Sequence, residues 1–139
     1  GPEVTIEEKN VDALIFASYL ESKAILKNIV DNAVKYSSNA PQPKVSLRVN
    51  ADQHSIYFSV CDNGIGLSEE DVSQIFTPFW RSESAKDLAL EGSGLGLTLS
   101  LRLAKKNSVK LKVSSPGIGL GTQVDLIWPT YNRSHHAEG

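Results

Sequence analysis

The sequence predicts an α/β two-layer sandwich, in which helices pack against one β-sheet. Two observations carry this prediction. Pairs of segments alternate apolar and polar residues with a period of two, which indicates antiparallel strands, and three other segments have helical character. The 139 residues fall within the size range of one domain, and no repeat or linker divides them. We therefore expect a single domain over residues 1–139.

The first part of the chain predicts two short strands and a long helix. Residues 4–6 alternate briefly, and the apolar run 13–17 has the length of a strand. A helix is expected over residues 20–37, because neither Gly nor Pro interrupts this stretch and both Pro41 and Pro43 follow it.

The middle of the chain predicts a β-hairpin and a short helix. Residues 44–50 and 55–61 alternate apolar and polar side chains around a polar connection. A short helix is expected over residues 69–75, with Ser68 as its N-cap. Residues 77–92 lose all periodicity and are polar and charged, which is typical of a mobile loop.

The last part of the chain predicts a helix and two strands. The helix begins within the glycine-rich segment 92–96 and ends near Asn107. Strands are expected over residues 109–114 and 122–128, and residues 133–139 form a polar tail that we expect to be frayed.

Composition excludes several classes of protein. The 16 acidic and 14 basic residues give a net charge of −2, which is unusual for a protein that binds nucleic-acid phosphates. One cysteine, Cys61, forms neither an internal disulfide nor a zinc site, and we expect it to be a small core residue. The chain has no long apolar run and no initiator Met, and Gly1 and Pro2 resemble a protease-cleavage scar. We therefore expect a soluble, cytoplasmic fragment of a longer protein. We expect it to contact neither nucleic acid nor membrane.

The long predicted helix places polar residues on one narrow stripe. At about 100° per residue, Asn28, Asn32 and Lys35 share this stripe, with Asp31 beside it. Amide oxygens are suitable Mg²⁺ ligands, and a lysine meets a phosphate as a point charge. The alternative is a solvated polar face of an amphipathic helix.

Glycine-rich turns supply the other candidate binding groups. Asp62 ends a predicted strand and precedes Gly64 and Gly66, so a ligand can approach the backbone beside a carboxylate that accepts hydrogen bonds. The alternative is an ordinary Asx turn. The segment 92–97 opens a helix, whose free N–H groups attract anions, although it lacks the Lys-Ser/Thr of a Walker A loop.

Taken in order, these segments resemble the catalytic ATP-binding domain of two-component sensor histidine kinases, within the superfamily that also contains gyrase and MutL. Five motifs in the same order carry the resemblance across most of the chain. They are the N box at residues 26–37 (LKNIVDNAVKYS), the G1 box at 62–66 (DNGIG), the F box at 75–81 (IFTPFWR), the G2 box at 92–97 (GSGLGL) and the G3 element at 119–122 (GLGT).

The resemblance implies a Bergerat-type ATP-binding fold, a mixed and mostly antiparallel sheet of about five strands with three helices on one face. By analogy Asn32 would be the main Mg²⁺ ligand with Asn28 nearby, and Lys35 would reach a phosphate. Arg81 would approach the γ-phosphate when the loop closes as a lid. Lys35 and Arg81 are thus the implied catalytic residues.

The resemblance also implies how the ATP would be held. Asp62 would accept the adenine amine, Tyr36 would border the base or ribose, and Thr122 would support Asp62 through its hydroxyl. Two glycines of the turn, Gly64 and Gly66, would leave room for the ring. The phosphates would lie against the G2 backbone, at Gly92, Gly94, Leu95, Gly96 and Leu97.

The implied activity is transfer of the γ-phosphoryl group to a histidine on a dimerisation domain of the same protein, and from there indirectly to a response regulator. That domain lies outside this chain, so we expect no autophosphorylation of the fragment. In the ATPase branches of the superfamily a glutamate stands where this chain has Asn28, which cannot act as a base. The alternatives are a gyrase-like or MutL-like ATPase, a regulatory module that binds a partner instead of ATP, and an anti-sigma-factor-type serine kinase.

Overall fold

The computed structural model describes residues 2–9, 19–77, 80 and 96–130, and five strands within them form one sheet. In chain order the strands are β1 (Glu3–Lys9), β2 (Lys44–Ala51), β3 (Ser55–Asp62), β4 (Lys110–Ser114) and β5 (Thr122–Pro129). Their order across the sheet is β1-β2-β3-β5-β4. Strands β1 and β2 run parallel and the other neighbours run antiparallel, which confirms the predicted mixed, mostly antiparallel sheet.

The described helices are α1 (Tyr19–Ser37), α2 (Glu69–Gln74) and α3 (Gly96–Lys106). Their bounds agree with the sequence prediction within one residue, and Ser68 caps α2 as predicted by accepting from the backbone N–H of Asp71 at 3.1 Å. None of these helices combines the length and apolar character needed to cross a bilayer. The apolar run 13–17 lies outside the described residues.

The core forms between α1, α3 and one face of the sheet. Ile25, Ile29 and Ala33 recur at helical spacing along α1 and are all buried. They meet the sheet residues whose side chains point to the same side, such as Val60 of β3 and Leu126 of β5. Helices α1 and α3 therefore cover one face of the sheet, as the two-layer prediction requires.

The opposite face of the sheet carries polar side chains. Ser59 donates to a carboxylate oxygen of Asp125 at 2.6 Å across the paired strands β3 and β5. The prediction that Cys61 is a core residue is wrong, because its half-exposed thiol lies on this polar face, 3.4 Å from the side-chain oxygen of Gln123. Since side chains alternate along a strand, Cys61 points away from the face that its neighbours Val60 and Asp62 share.

A buried hydrogen bond joins the start of α1 to the last strand. The indole N–H of Trp128 donates to the hydroxyl of Ser22 at 3.0 Å, and the Trp128 side chain is fully buried. The same indole packs edge-on against Phe58, with ring centroids 5.0 Å apart. Ser22 is therefore the partner that a buried polar N–H group needs.

We predict that Ser22→Ala lowers the free energy of unfolding by about 1–3 kcal/mol, because it leaves the buried indole N–H without an acceptor. Urea denaturation measures this change. The matched control is Ser38→Ala, since the exposed Ser38 hydroxyl donates to the Lys35 carbonyl at 2.7 Å just past the same helix. Equal losses in the two variants would contradict the prediction.

Candidate functional site

A cavity opens between α1 and the sheet, close to the turn that follows β3. Apolar side chains form most of its wall, and a few polar ones interrupt them. The lining residues are Ile29, Asn32, Ala33, Tyr36, Val60, Asp62, Ile65, Gly66, Leu67, Ile75, Trp80, Leu97, Val113, Thr122 and Val124. Among these described residues, Asp62 is the one carboxylate, so it sets the polarity of the otherwise apolar cavity.

Asp62 is the last residue of β3 and points into the cavity. Desolvation by burial raises the pKa of its carboxyl from 3.8 to about 6, and the backbone N–H groups of Gly64 and Thr122 limit this rise by hydrogen bonding to the charged form. The Gly64 N–H donates to one carboxylate oxygen at 2.8 Å. At pH 7 the side chain is therefore mostly ionised and is an acceptor for an N–H donor inside the cavity.

The first glycine of the turn lies directly against the end of α1. A methyl group at Gly64 would overlap the backbone carbonyl of Tyr36, and the next residue, Ile65, donates its N–H to the same carbonyl at 3.2 Å. The turn is therefore bonded to the helix that carries the polar stripe. This close approach is the reason why the position requires glycine.

The second glycine contacts the loop that precedes β5. Gly66 has a φ of 64°, and a methyl group there would overlap the carbonyl of Gly117. Two backbone bonds join the same two loops, from the Gly119 N–H to the Ile65 carbonyl at 2.7 Å and from the Gly121 N–H to the Gly64 carbonyl at 3.2 Å. The predicted G1 and G3 segments are thus one bonded unit at the inner end of the cavity.

The polar stripe of α1 is only partly turned toward the cavity. Asn32 lies on the cavity wall, whereas Asn28 is absent from the described lining. The Lys35 ammonium lies 5.6 Å from the centre of the Tyr36 ring. Asp31 pairs with Lys27 at 2.7 Å on an exposed part of the helix, outside the cavity.

The polar groups of the cavity fit a Mg²⁺ ion that takes its ligands partly from the protein and partly from a bound phosphate chain. Mg²⁺ prefers oxygen ligands and usually keeps several waters, so one side-chain oxygen from the protein is sufficient. Asn32 offers such an amide oxygen at the cavity wall. Within the described residues no cluster of three His, Cys, Asp or Glu side chains offers a dedicated metal cage.

Several predicted site residues lie outside the described part of the chain, and their roles stay predictions: Arg81, Gly92, Gly94 and Leu95, together with most of the predicted lid 77–92. Of the remaining G2 residues, Gly96 is the first residue of α3 and Leu97 lines the cavity. The described part of α3 therefore begins at the cavity.

Sequence reasoning did not name most of the apolar cavity wall, and it did not name Ser115. Ile65 and Trp80 both line the cavity, although they were expected only as members of the G1 and F boxes. Ser115 binds the two glycine loops together. Ile65 lies between two glycines of the turn, and this position could have identified it as a cavity residue. Nothing in the local sequence distinguishes Ser115 from any other loop serine.

Thr122 contributes a backbone group that the sequence analysis did not consider. Its side chain lines the cavity, and it lies directly across from Asp62 in the β3–β5 register. The Thr122 backbone N–H, like that of Gly64, lowers the pKa of the Asp62 carboxyl. The predicted support by the Thr122 hydroxyl stays a prediction.

A family model described as histidine kinase-, DNA gyrase B- and HSP90-like ATPase matches residues 20–132. A histidine protein kinase, SaeS of Staphylococcus aureus (strain USA300), is 38% identical over 102 residues, which are 73% of this chain and 29% of SaeS. The match thus spans less than a third of the length of such curated relatives.

Solved structures share the same fold. The mycobacterial sensor histidine kinase MprB has a TM-score of 0.76 at 23% identity, over 93% of this chain and 83% of the MprB chain. Full-length ShkA in complex with AMPPNP has a TM-score of 0.77 at 26% identity, over 95% of this chain and 26% of the ShkA chain. The described sheet and helices therefore have counterparts in kinase structures, one of which was solved with an ATP analogue.

Proposed function

The chain belongs to the family of histidine kinase-, DNA gyrase B- and HSP90-like ATPases, and we propose that it presents Mg·ATP for phosphoryl transfer. It is an ATP-binding catalytic domain of the sensor histidine kinase type. The γ-phosphoryl group would pass to a histidine side chain on a dimerisation domain. The observation that carries this proposal is the apolar cavity with the Asp62 carboxylate at its inner end. The response regulator would receive the phosphoryl group afterwards, in the cytoplasm where ATP is supplied.

The inner end of the cavity suits adenine. A planar base buries its faces against apolar walls such as those of Ile29, Ile65 and Leu67, while its exocyclic amine needs an acceptor. The ionised Asp62 carboxylate is such an acceptor, and a charged partner strengthens the hydrogen bond. We propose that the adenine amine donates to the Asp62 carboxylate.

The mouth of the cavity suits the phosphates. We propose that Asn32 supplies an oxygen to the Mg²⁺ ion, whose bound charge offsets that of the phosphates. Leu97 and the first turn of α3 offer backbone N–H groups at the positive end of the helix dipole. Lys35 would meet a phosphate, and Asn28 would assist Asn32 from one turn away along α1.

The described cavity favours transfer over hydrolysis. Hydrolysis needs a base that activates water near the γ-phosphate. The one carboxylate among the described lining residues is Asp62, which lies at the end of the cavity proposed for adenine. The nearby Asp31 is paired with Lys27 on an exposed part of α1. Positioning and electrostatics are the main requirements of phosphoryl transfer, so no base is needed on this domain.

We predict that Asn32→Ala removes most of the gain in ATP affinity that Mg²⁺ provides, because the variant loses the amide oxygen at the cavity wall. Calorimetric titrations with Mg²⁺ and with EDTA measure this gain. Asn28→Ala is the matched control on the same helix and should retain more of the gain. An Asn32→Ala variant with the parent's full response to Mg²⁺ would rule out this ligand.

The experiment that tests the whole proposal uses a protein that joins this domain to its dimerisation domain, incubated with γ-labelled ATP. We expect label on the protein as an acid-labile, base-stable phosphate, the behaviour of phosphohistidine. Steady ATP hydrolysis by the domain alone, without any labelled protein, would instead favour the ATPase alternative. Failure of the domain to bind ATP at all would favour a regulatory module.

A further inference from the structure

We propose that Ser115 is a positioning residue of the nucleotide site, because its hydroxyl orients the peptide groups that face the Asp62 carboxylate. Ser115 lies just past the end of β4, at the start of the loop that leads to β5. Its link to Asp62 is a property of the folded protein, whereas its effect on nucleotide affinity rests on the function proposed above.

The Ser115 hydroxyl bonds to both glycine loops at once. It donates to the Gly121 carbonyl at 2.6 Å and accepts from the Leu67 N–H at 3.0 Å. It also accepts from the Gly117 N–H at 3.2 Å, within its own loop. One hydroxyl thus uses its donor and its acceptor capacity to hold the turn after β3 against the loop before β5.

The bond to Gly121 acts on Asp62 through a single peptide group. The Gly121 carbonyl and the Thr122 N–H belong to the same planar peptide and point in opposite directions. The Ser115 hydroxyl holds the oxygen end. The N–H end belongs to the residue directly across from Asp62 in the β3–β5 register, and it lowers the pKa of the Asp62 carboxyl. Rotation of this peptide would withdraw a donor from Asp62, so fixing its oxygen end fixes the donor.

The second donor to Asp62 is coupled to the same loop. The Gly64 N–H donates to Asp62 at 2.8 Å, and the Gly64 carbonyl accepts from the Gly121 N–H at 3.2 Å. One donor to Asp62, the Thr122 N–H, thus belongs to the peptide whose oxygen Ser115 holds, and the residue that carries the other donor, Gly64, is bonded to Gly121 through its carbonyl. Among the described residues of the cavity wall, Tyr36 is the other titratable group, and none of the described charged side chains is among the causes of the Asp62 pKa shift.

The test compares Ser115→Ala with the matched control Ser114→Ala, since Ser114 is the neighbouring serine and pairs with Gln123 within the sheet. A ¹³C NMR titration of the Asp62 carboxyl in the nucleotide-free protein reports on the donors directly. We expect the titration midpoint of the Asp62 carboxyl to rise by about 0.5 pH units or more in Ser115→Ala. It should stay unchanged in Ser114→Ala and return toward the parent value in Ser115→Thr. ATP affinity at pH 7 should fall by about 3- to 10-fold in Ser115→Ala only.

The two proposals fail in different ways. An unchanged Asp62 midpoint in folded Ser115→Ala, or the same change in the Ser114 control, would overturn the role of Ser115. Absence of ATP binding by the parent would overturn the proposed function and leave the NMR result intact. If Ser115→Ala does not fold, Ser115→Cys replaces it in the titration. An Asp62 titration midpoint in Ser115→Cys that is no higher than in Ser115→Thr would then overturn the positioning role of Ser115.

Discussion

Asp62→Asn is expected to lower the affinity for ATP by about 100-fold or more. The substitution keeps the size of the side chain and removes the charge that accepts the adenine amine, and charged hydrogen bonds contribute about 1.5–3 kcal/mol each. It also leaves an NH₂ group facing either the Gly64 and Thr122 donors or the adenine amine, and each of these is a donor-to-donor contact. Calorimetric titration of Mg·ATP into the parent and the variant measures the loss.

The same variant should not be less stable than the parent, and this separates lost recognition from lost folding. Folding raises the pKa of Asp62 from 3.8 to about 6, so the folded protein holds this proton more tightly than the unfolded chain. Stability from this group is present below pH 3.8 and is lost as the pH rises through about 6. The contribution of Asp62 to the unfolding free energy of the nucleotide-free parent should therefore fall by roughly 2 kcal/mol between pH 4 and pH 7.

Asp62→Asn lacks this titration, so the unfolding free energy of the variant relative to that of the parent should rise between pH 4 and pH 7, and at pH 7 it should match or exceed the parent's. Urea denaturation at both pH values tests this. A variant that binds ATP as tightly as the parent would contradict the adenine assignment. A variant that is much less stable at pH 7 would contradict the assignment of the buried charge.

Gly66→Ala is expected to produce the second largest effect, a loss of about 3 kcal/mol or more in unfolding free energy together with most of the ATP affinity. The φ of 64° is unfavourable for alanine, and the added methyl group would overlap the Gly117 carbonyl. Relief of this overlap would separate the two loops that hold the inner end of the cavity. Urea denaturation and nucleotide titration measure the two effects.

Gly119→Ala is the matched control for Gly66→Ala. Gly119 also has a positive φ, 79°, but a methyl group there meets nothing within 4 Å. This variant should lose only about 1 kcal/mol, the penalty of the left-handed conformation, and should retain ATP binding. Similar losses at both glycines would show that loop contact plays no part.

The secondary structure was largely predictable because local signals marked its ends. Proline residues after Ser37 and the capping serine before α2 set helix bounds that the structure reproduces within one residue. Strand β1 was harder, since only residues 4–6 alternate, whereas the observed strand Glu3–Lys9 is set by its parallel pairing with β2. A parallel partner is distant in sequence and leaves no local signal.

The candidate site was predictable where chemistry marks a residue and not where geometry alone does. The Asp62 carboxylate, Asn32 and the glycine turns were found from residue type and order, and the family comparisons confirm the resemblance that these motifs predicted. The outward direction of Cys61 follows from the inward direction of Asp62, yet it was missed. Ser115 acts through two backbone groups that only folding brings within reach.

The most direct test of the central claim compares ATP with purine riboside triphosphate, which lacks only the 6-amino group. If Asp62 accepts that amine, the parent should bind ATP at least about 10-fold more tightly than the analogue, and the difference should largely disappear in Asp62→Asn. Equal affinity of the parent for the two nucleotides would contradict the account.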